Sequence, residues 1–125
     1  MIHLDTNFII RGLVMGTDED RQLRKWLAAG EPLGTSSIAW AEFSCGPLDP
    51  LIASSAATLL PNAEPFLQSD ASLAAKLFNS GGRRKGSLLD CMIAAVAIRS
   101  GATLATSNLS DFARFQSSGL NVVTV

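Results

Sequence analysis

Strand-length, mainly apolar runs alternate along this chain with segments of helical periodicity, and that alternation leaves few architectures open. Met1–Leu4, Pro32–Thr35, Thr103–Thr106 and Leu120–Val125 have the length of strands, and Ala63–Leu67 fits a short edge strand. Between them lie helical patterns. One begins directly after Asp5. Asp18–Ala29 carries charges on one side and Leu23, Trp26 and Leu27 on the other, with Gly30 as its stop. Ser36 or Ser37 can cap a helix reaching Cys45 before Gly46-Pro47. Asp49 followed by Pro50 opens another that runs to about Leu60. Ser69–Asn79 turns Leu73, Leu77 and Phe78 inward, Ser87 caps a helix ending at Ser100 before Gly101, and Ser110–Phe115 is a short capped helix. Strands separated by helices pair in parallel and need cover on both faces. In such sheets ligands sit beyond the carboxyl ends of the strands. Asp5 lies at one of these ends, and Asn108 and Asp111 follow another.

The bulk properties agree with one compact domain. The 125 residues suffice for a single core, and 47% hydrophobic against 17% charged residues is far from the composition of a disordered chain. The first residues show no secretory pattern, and the longest apolar run, Cys91–Ile98, is too short for a bilayer, so a cytoplasmic protein with no membrane role is expected. Cys45 and Cys91 have neither metal-ligand spacing nor the density of a disulfide framework, and read as reduced thiols. Net charge is −1, with eleven acids against ten Lys and Arg. With four acids neutralised by metal, the remaining surface would be mildly basic and suited, weakly, to a polyanion.

Asp90 is the most informative single residue. It interrupts Leu88-Leu89 and Cys91–Ile98 in a helix with no other polar interior position, and Arg99 is roughly 13 Å further along the axis. A lone buried carboxylate there shifts its proton affinity or finds a partner; the alternative is an exposed stripe. Glu42 repeats the pattern in Ile38–Phe43, where a solvated helix position is the plain alternative. Asp5 can simply cap the helix after it, and Asp111 can be a favourable first-turn charge. Taken together, two of these acids follow strands on the ligand side and two sit in apolar helices able to pack against it. Carboxylates converging on one cavity repel unless a divalent cation lies among them. Oxygen donors alone suit Mg²⁺ or Mn²⁺ rather than zinc, and such an ion suits phosphate-ester hydrolysis.

These residues resemble the PIN domains, and in particular the VapC-type toxins of bacterial toxin–antitoxin pairs. Leu4-Asp5-Thr6-Asn7 is similar to the family's opening motif, and Ser36–Phe43 with Gly46 to its second. Asp90–Ala95 with Ala97 is similar to the third, and Leu104–Asn108 with Asp111-Phe112 to the fourth. Pro47–Ser80 carries no matching motif. The resemblance implies a PIN-like three-layer α/β/α sandwich around a mostly parallel sheet. It implies an endoribonuclease in which Asp5, Glu42, Asp90 and Asp111 ligate one or two Mg²⁺ or Mn²⁺ ions and activate water, leaving a 5′-phosphate and a 3′-hydroxyl. Thr6, Asn7 and Asn108 would support the acids by hydrogen bonds. Many PIN domains carry Asp at the position of Asn108, whereas several VapC-like members place the acid three residues later, as Asp111 is here; either position can complete the site. The resemblance further implies a homodimer and a VapB-type antitoxin whose tail lies over the acids.

Ser80–Gly86 reads as a flexible basic loop whose Arg83, Arg84 and Lys85 can grip an RNA backbone or simply be solvated. His3 reads as a satisfied core histidine, and Trp26 and Trp40 as core or interface anchors. A dinucleotide-binding module would need a glycine-rich turn after Leu4, and a receiver domain adjacent acids there; Asp5-Thr6-Asn7 supplies neither. The rival that the residues leave standing is a catalytically silent PIN-like scaffold that binds RNA or a partner without cutting.

Overall fold

The computed structural model describes residues 1–125. Four strands form one all-parallel sheet in the order β2-β1-β3-β4. They are β1 (Ile2–Leu4), β2 (Leu33–Gly34), β3 (Thr103–Ala105) and β4 (Asn121–Val123). The helices are α1 (Thr6–Gly12), α2 (Asp18–Ala28), α3 (Ser37–Ser44), α4 (Pro50–Leu59), α5 (Gln68–Ser80), α6 (Leu88–Ser100) and α7 (Leu109–Phe112), the last continuing as a 3₁₀ turn over Ala113–Ser118. None is long and apolar enough to cross a membrane.

Each central strand buries both faces. Leu104 joins a cluster with Ala39, Leu77, Ile93 and Phe115. The next residue, Ala105, joins Leu4, Phe8, Leu23 and Phe43 in a second cluster. Alternation along β3 therefore separates two cores, and the molecule is a three-layer α/β/α sandwich. Trp26 stacks on Phe8 at 5.7 Å between ring centroids, and Trp40 leans on Phe43 at 5.6 Å, so both anchor the second core.

The helix starts follow local chemistry. Asp5 accepts the Phe8 amide at 2.7 Å, Ser36 the Ala39 amide at 3.0 Å and Asp49 the Leu51 amide at 2.8 Å, with Pro50 first in its helix. Gly101 ends α6 at φ 64°, a backbone state that glycine adopts without penalty.

Four expectations need correction. Ala63–Leu67 is not a strand: only Glu64 bridges to Ser36, since Pro65 has no amide to donate and its carbonyl is taken by Arg99. Ser87 precedes α6 but does not cap it, because its hydroxyl donates to the Arg84 carbonyl at 2.7 Å. The helix expected over Ser110–Phe115 begins at Leu109 and gives way to the 3₁₀ turn after Phe112. His3 is buried, but its Nδ1 has no hydrogen-bond partner, and burial lowers its pKa.

Candidate active site

The order β2-β1-β3-β4 places β1 and β3 side by side, and the Asp5 amide donates to the Ala105 carbonyl at 3.0 Å. The carboxyl ends of the two strands therefore open into one crevice. Asp5 enters it from the junction of β1 and α1, Glu42 from α3, Asp90 from the first turn of α6 and Asp111 from α7. All four acids line a single cavity of about 90 Å³ together with Thr6 and Asn7, over an apolar floor of Ile93 and Phe112. Asp5 is 3% exposed and the other three acids are half-buried. None of the chain's ion pairs involves any of them.

The surrounding hydrogen bonds fix two of the carboxylates. The Thr6 hydroxyl donates to Glu42 Oε1 at 2.9 Å. The Asn108 amide group donates to Asp111 Oδ2 at 2.7 Å. Asp111 thus takes the place in the cavity, with Asn108 beside it and outside the lining. The proton affinities report the crowding. Burial pushes Asp5 up to about 6, opposed by hydrogen bonds to Thr106 and the Phe8 amide and reinforced by Asp111 and Glu42. Burial also pushes Asp90 up to about 6, with Asp111, Glu42 and Asp5 adding repulsion and Arg114 partly offsetting it.

The donor chemistry fits a hard divalent cation: four carboxylates, and no lysine, arginine, histidine or cysteine in the cavity lining. Cys91 is buried in the core, and Cys45 is exposed elsewhere. No three acid, histidine or cysteine side chains stand in a ready-made ligand shell, so the acids share the cavity without closing on a point. An ion that retains several waters, as Mg²⁺ does, needs only one or two carboxylates directly.

Arg83, Arg84 and Lys85 are exposed in the turn leading to α6, at the same end of that helix as Asp90. Arg83 adopts φ 55°, donates to Asn79 at 2.9 Å and lies over the Phe78 ring. Sequence reasoning missed three charged side chains. Arg114, stacked on Phe115 at 4.4 Å, is the cation whose charge reaches Asp90. Asp70 is fully buried and paired with Arg99 at 2.7 Å. Glu19 is buried against the turn that carries Asp111.

A family model of the PIN domain matches residues 2–117. The chain belongs to the PIN-domain family. No curated protein matches the sequence. Among solved structures, this PIN domain is similar to a chain of VapBC2 from Rickettsia felis bound to a promoter DNA fragment, at 24% identity and TM-score 0.77, covering 100% of this chain and 99% of that one. A chain of DNA-bound VapBC from Salmonella typhimurium aligns at 19% identity and TM-score 0.76, covering 98% and 96%. VapC20 from Mycobacterium tuberculosis, described as a sarcin-ricin loop cleaving toxin, aligns at 18% identity and TM-score 0.66, covering 96% of each chain. At these identities the likeness concerns the fold.

Proposed function

We propose that this PIN domain is a Mg²⁺- or Mn²⁺-dependent endoribonuclease, acting in the cytoplasm as the toxin of a type II toxin–antitoxin pair. The observation that carries the nuclease reading is the convergence of four carboxylates, from four separate segments, on one small cavity without a protein cation. Asp5, Glu42, Asp90 and Asp111 would hold the ion. Bound there, a divalent cation supplies an acidified water and positive charge against the phosphate. With that ion bound, a water would add to phosphorus as the bond to the 3′ oxygen breaks, giving a 5′-phosphate and a 3′-hydroxyl. A cavity carboxylate would take the proton that the water loses, and solvent water would protonate the departing 3′ oxygen. Thr6 and Asn108 each fix one oxygen of Glu42 and Asp111, leaving the second oxygen of each available. The basic turn Arg83–Lys85, beside the first turn of α6, can follow the RNA backbone away from the acids.

The toxin role and a VapB-type antitoxin partner rest on the similar structures, several of which are VapBC or toxin–antitoxin complexes, and the homodimer on the motif resemblance alone. The deciding experiment incubates purified protein with total RNA and Mg²⁺ or Mn²⁺, beside Asp5→Asn and Asp90→Asn. Discrete fragments from the wild type and none from either variant are expected. Equal cleavage by all three would place the activity elsewhere. RNA that is bound but left intact by the wild type would favour the silent scaffold.

A further inference from the structure

Three acids in this chain are almost fully buried: Asp5, Asp70 and Glu19. Asp5 belongs to the cavity, and Asp70 accepts from Arg99 and the Leu67 amide. Glu19 has neither explanation. It sits on α2 at 4% exposure, its Oε1 accepts from Arg11 Nε at 2.8 Å and Ser107 Oγ at 3.0 Å, and its Oε2 is buried with no partner. The Arg11 side chain is 57% exposed, so the pair is half solvated. A buried carboxylate with one orphan oxygen and a wet partner is poor value for stability, and an apolar residue would serve packing better. Residues retained against that cost are expected where function gains from them.

What Glu19 holds is informative. Ser107 is the second residue of the turn between β3 and α7, and that turn is closed on itself. The Asn108 amide donates to Thr106 Oγ1 at 2.9 Å, the Ser110 hydroxyl to Asn108 Oδ1 at 2.8 Å, and the Asn108 side chain to Asp111. Beside the Thr106 bond to Asp5, the Glu19–Ser107 bond is a second side-chain tie from this unit to the opposite side, and the one that reaches α2. Glu19 is anchored there, since Arg11 lies on α1 and a methyl group at Gly12 would already run into Leu23. Helix α1 begins at Asp5. Arg11, Glu19 and Ser107 thus join the helix that starts at one cavity acid to the turn that presents another.

We propose that Glu19 is a positioning residue, which through Ser107 sets the placement of Asp111 relative to Asp5 and so the affinity of the cavity for its cation. The inference rests on the ribonuclease reading for its catalytic consequence only. Ser107 is exposed, so it can be altered without disturbing the core.

Ser107→Ala is expected to weaken Mn²⁺ binding by the RNA-free protein and to lower kcat on an RNA oligonucleotide, each by up to ~10-fold, the lower end of the range for a group bonded directly to a metal ligand, since Ser107 reaches Asp111 only through its turn. KM and melting temperature stay at wild-type values, and Ser107→Thr, which keeps the hydroxyl, restores both quantities. Glu19→Gln keeps the Oε1 acceptor and is expected to lose less than Glu19→Ala. In an Asp111→Asn background, Ser107→Ala costs no further Mn²⁺ affinity, because the path runs through Asp111. Wild-type Mn²⁺ affinity in Ser107→Ala, or an undiminished loss in the Asp111→Asn background, overturns the proposal. Failure of the wild type to cut RNA would sink the ribonuclease reading alone, since Mn²⁺ affinity still decides the role of Glu19.

Discussion

Replacing Asp5 by asparagine separates the cost of its charge from the other work the residue does. Asparagine keeps an acceptor for the Phe8 amide, so the cap on α1 survives while the negative charge goes. Burial first, and repulsion from Asp111 and Glu42 after it, push Asp5 up to about 6 in the cation-free chain. A free aspartate titrates near ~3.9, and a rise of about two decades in proton affinity corresponds to ~3 kcal/mol. The folded chain holds this proton more tightly than the unfolded chain. The penalty is therefore fully present above pH ~6 and is mostly relieved as pH falls to ~4, where the folded chain is protonated and the unfolded chain about half so. With divalent ions chelated, Asp5→Asn should stabilise the protein at pH 7.5 by up to ~3 kcal/mol, on the order of 10 °C in melting temperature for a domain of this length. At pH 4 all but a small fraction of the advantage should be gone. Thermal and urea unfolding of both proteins, followed by circular dichroism at pH 7.5, 6 and 4, reads the difference directly. Adding Mn²⁺ at pH 7.5 should reverse the order, because only the wild type gains the full binding energy. A variant no more stable than the wild type at pH 7.5, or equally favoured at pH 4, would refute the reasoning.

Thr6→Val removes the donor to Glu42 Oε1, and should lower kcat ~10-fold with little change in KM, while Thr6→Ser retains activity. Changing Arg83, Arg84 and Lys85 together to alanine should weaken binding of single-stranded RNA. It should also flatten the log–log salt dependence by ~2, at ~0.7 per lost phosphate contact, measured by fluorescence anisotropy in the Asp90→Asn background. Gly12→Ala drives a methyl group into Leu23 Cδ1 between α1 and α2, and should cost ~1–3 kcal/mol, seen as a lower urea midpoint.

Asp90 was legible in the sequence because apolar neighbours isolate it on its helix, and Asp5 and Asp111 because they follow strands whose parallel order the alternation implies. The caps at Ser36 and Asp49 and the stop at Gly101 were legible because each acts within a few residues of itself. Glu19 was not. It stands in Asp18-Glu19-Asp20 at the start of α2, where acids are favourable to the helix dipole, and its partner Ser107 is 88 residues away. Asp70 was hidden for the same reason, its guanidinium partner lying 29 residues on. Ser87 misled because residue type shows only that a hydroxyl can cap, not that a nearer carbonyl will claim it. The orphan nitrogen of His3 was equally beyond reach, since satisfaction of a buried polar atom depends on neighbours that the fold alone selects.

The cavity draws its acids from positions 5, 42, 90 and 111, and β3, which precedes the last of them, is paired on its outer side by β4 at Asn121–Val123. The three earlier carboxylates stand in the crevice without the fourth until β3 has paired with β1 and brought Asp111 to it, so the complete cavity exists only once the segment through residue 123 has folded.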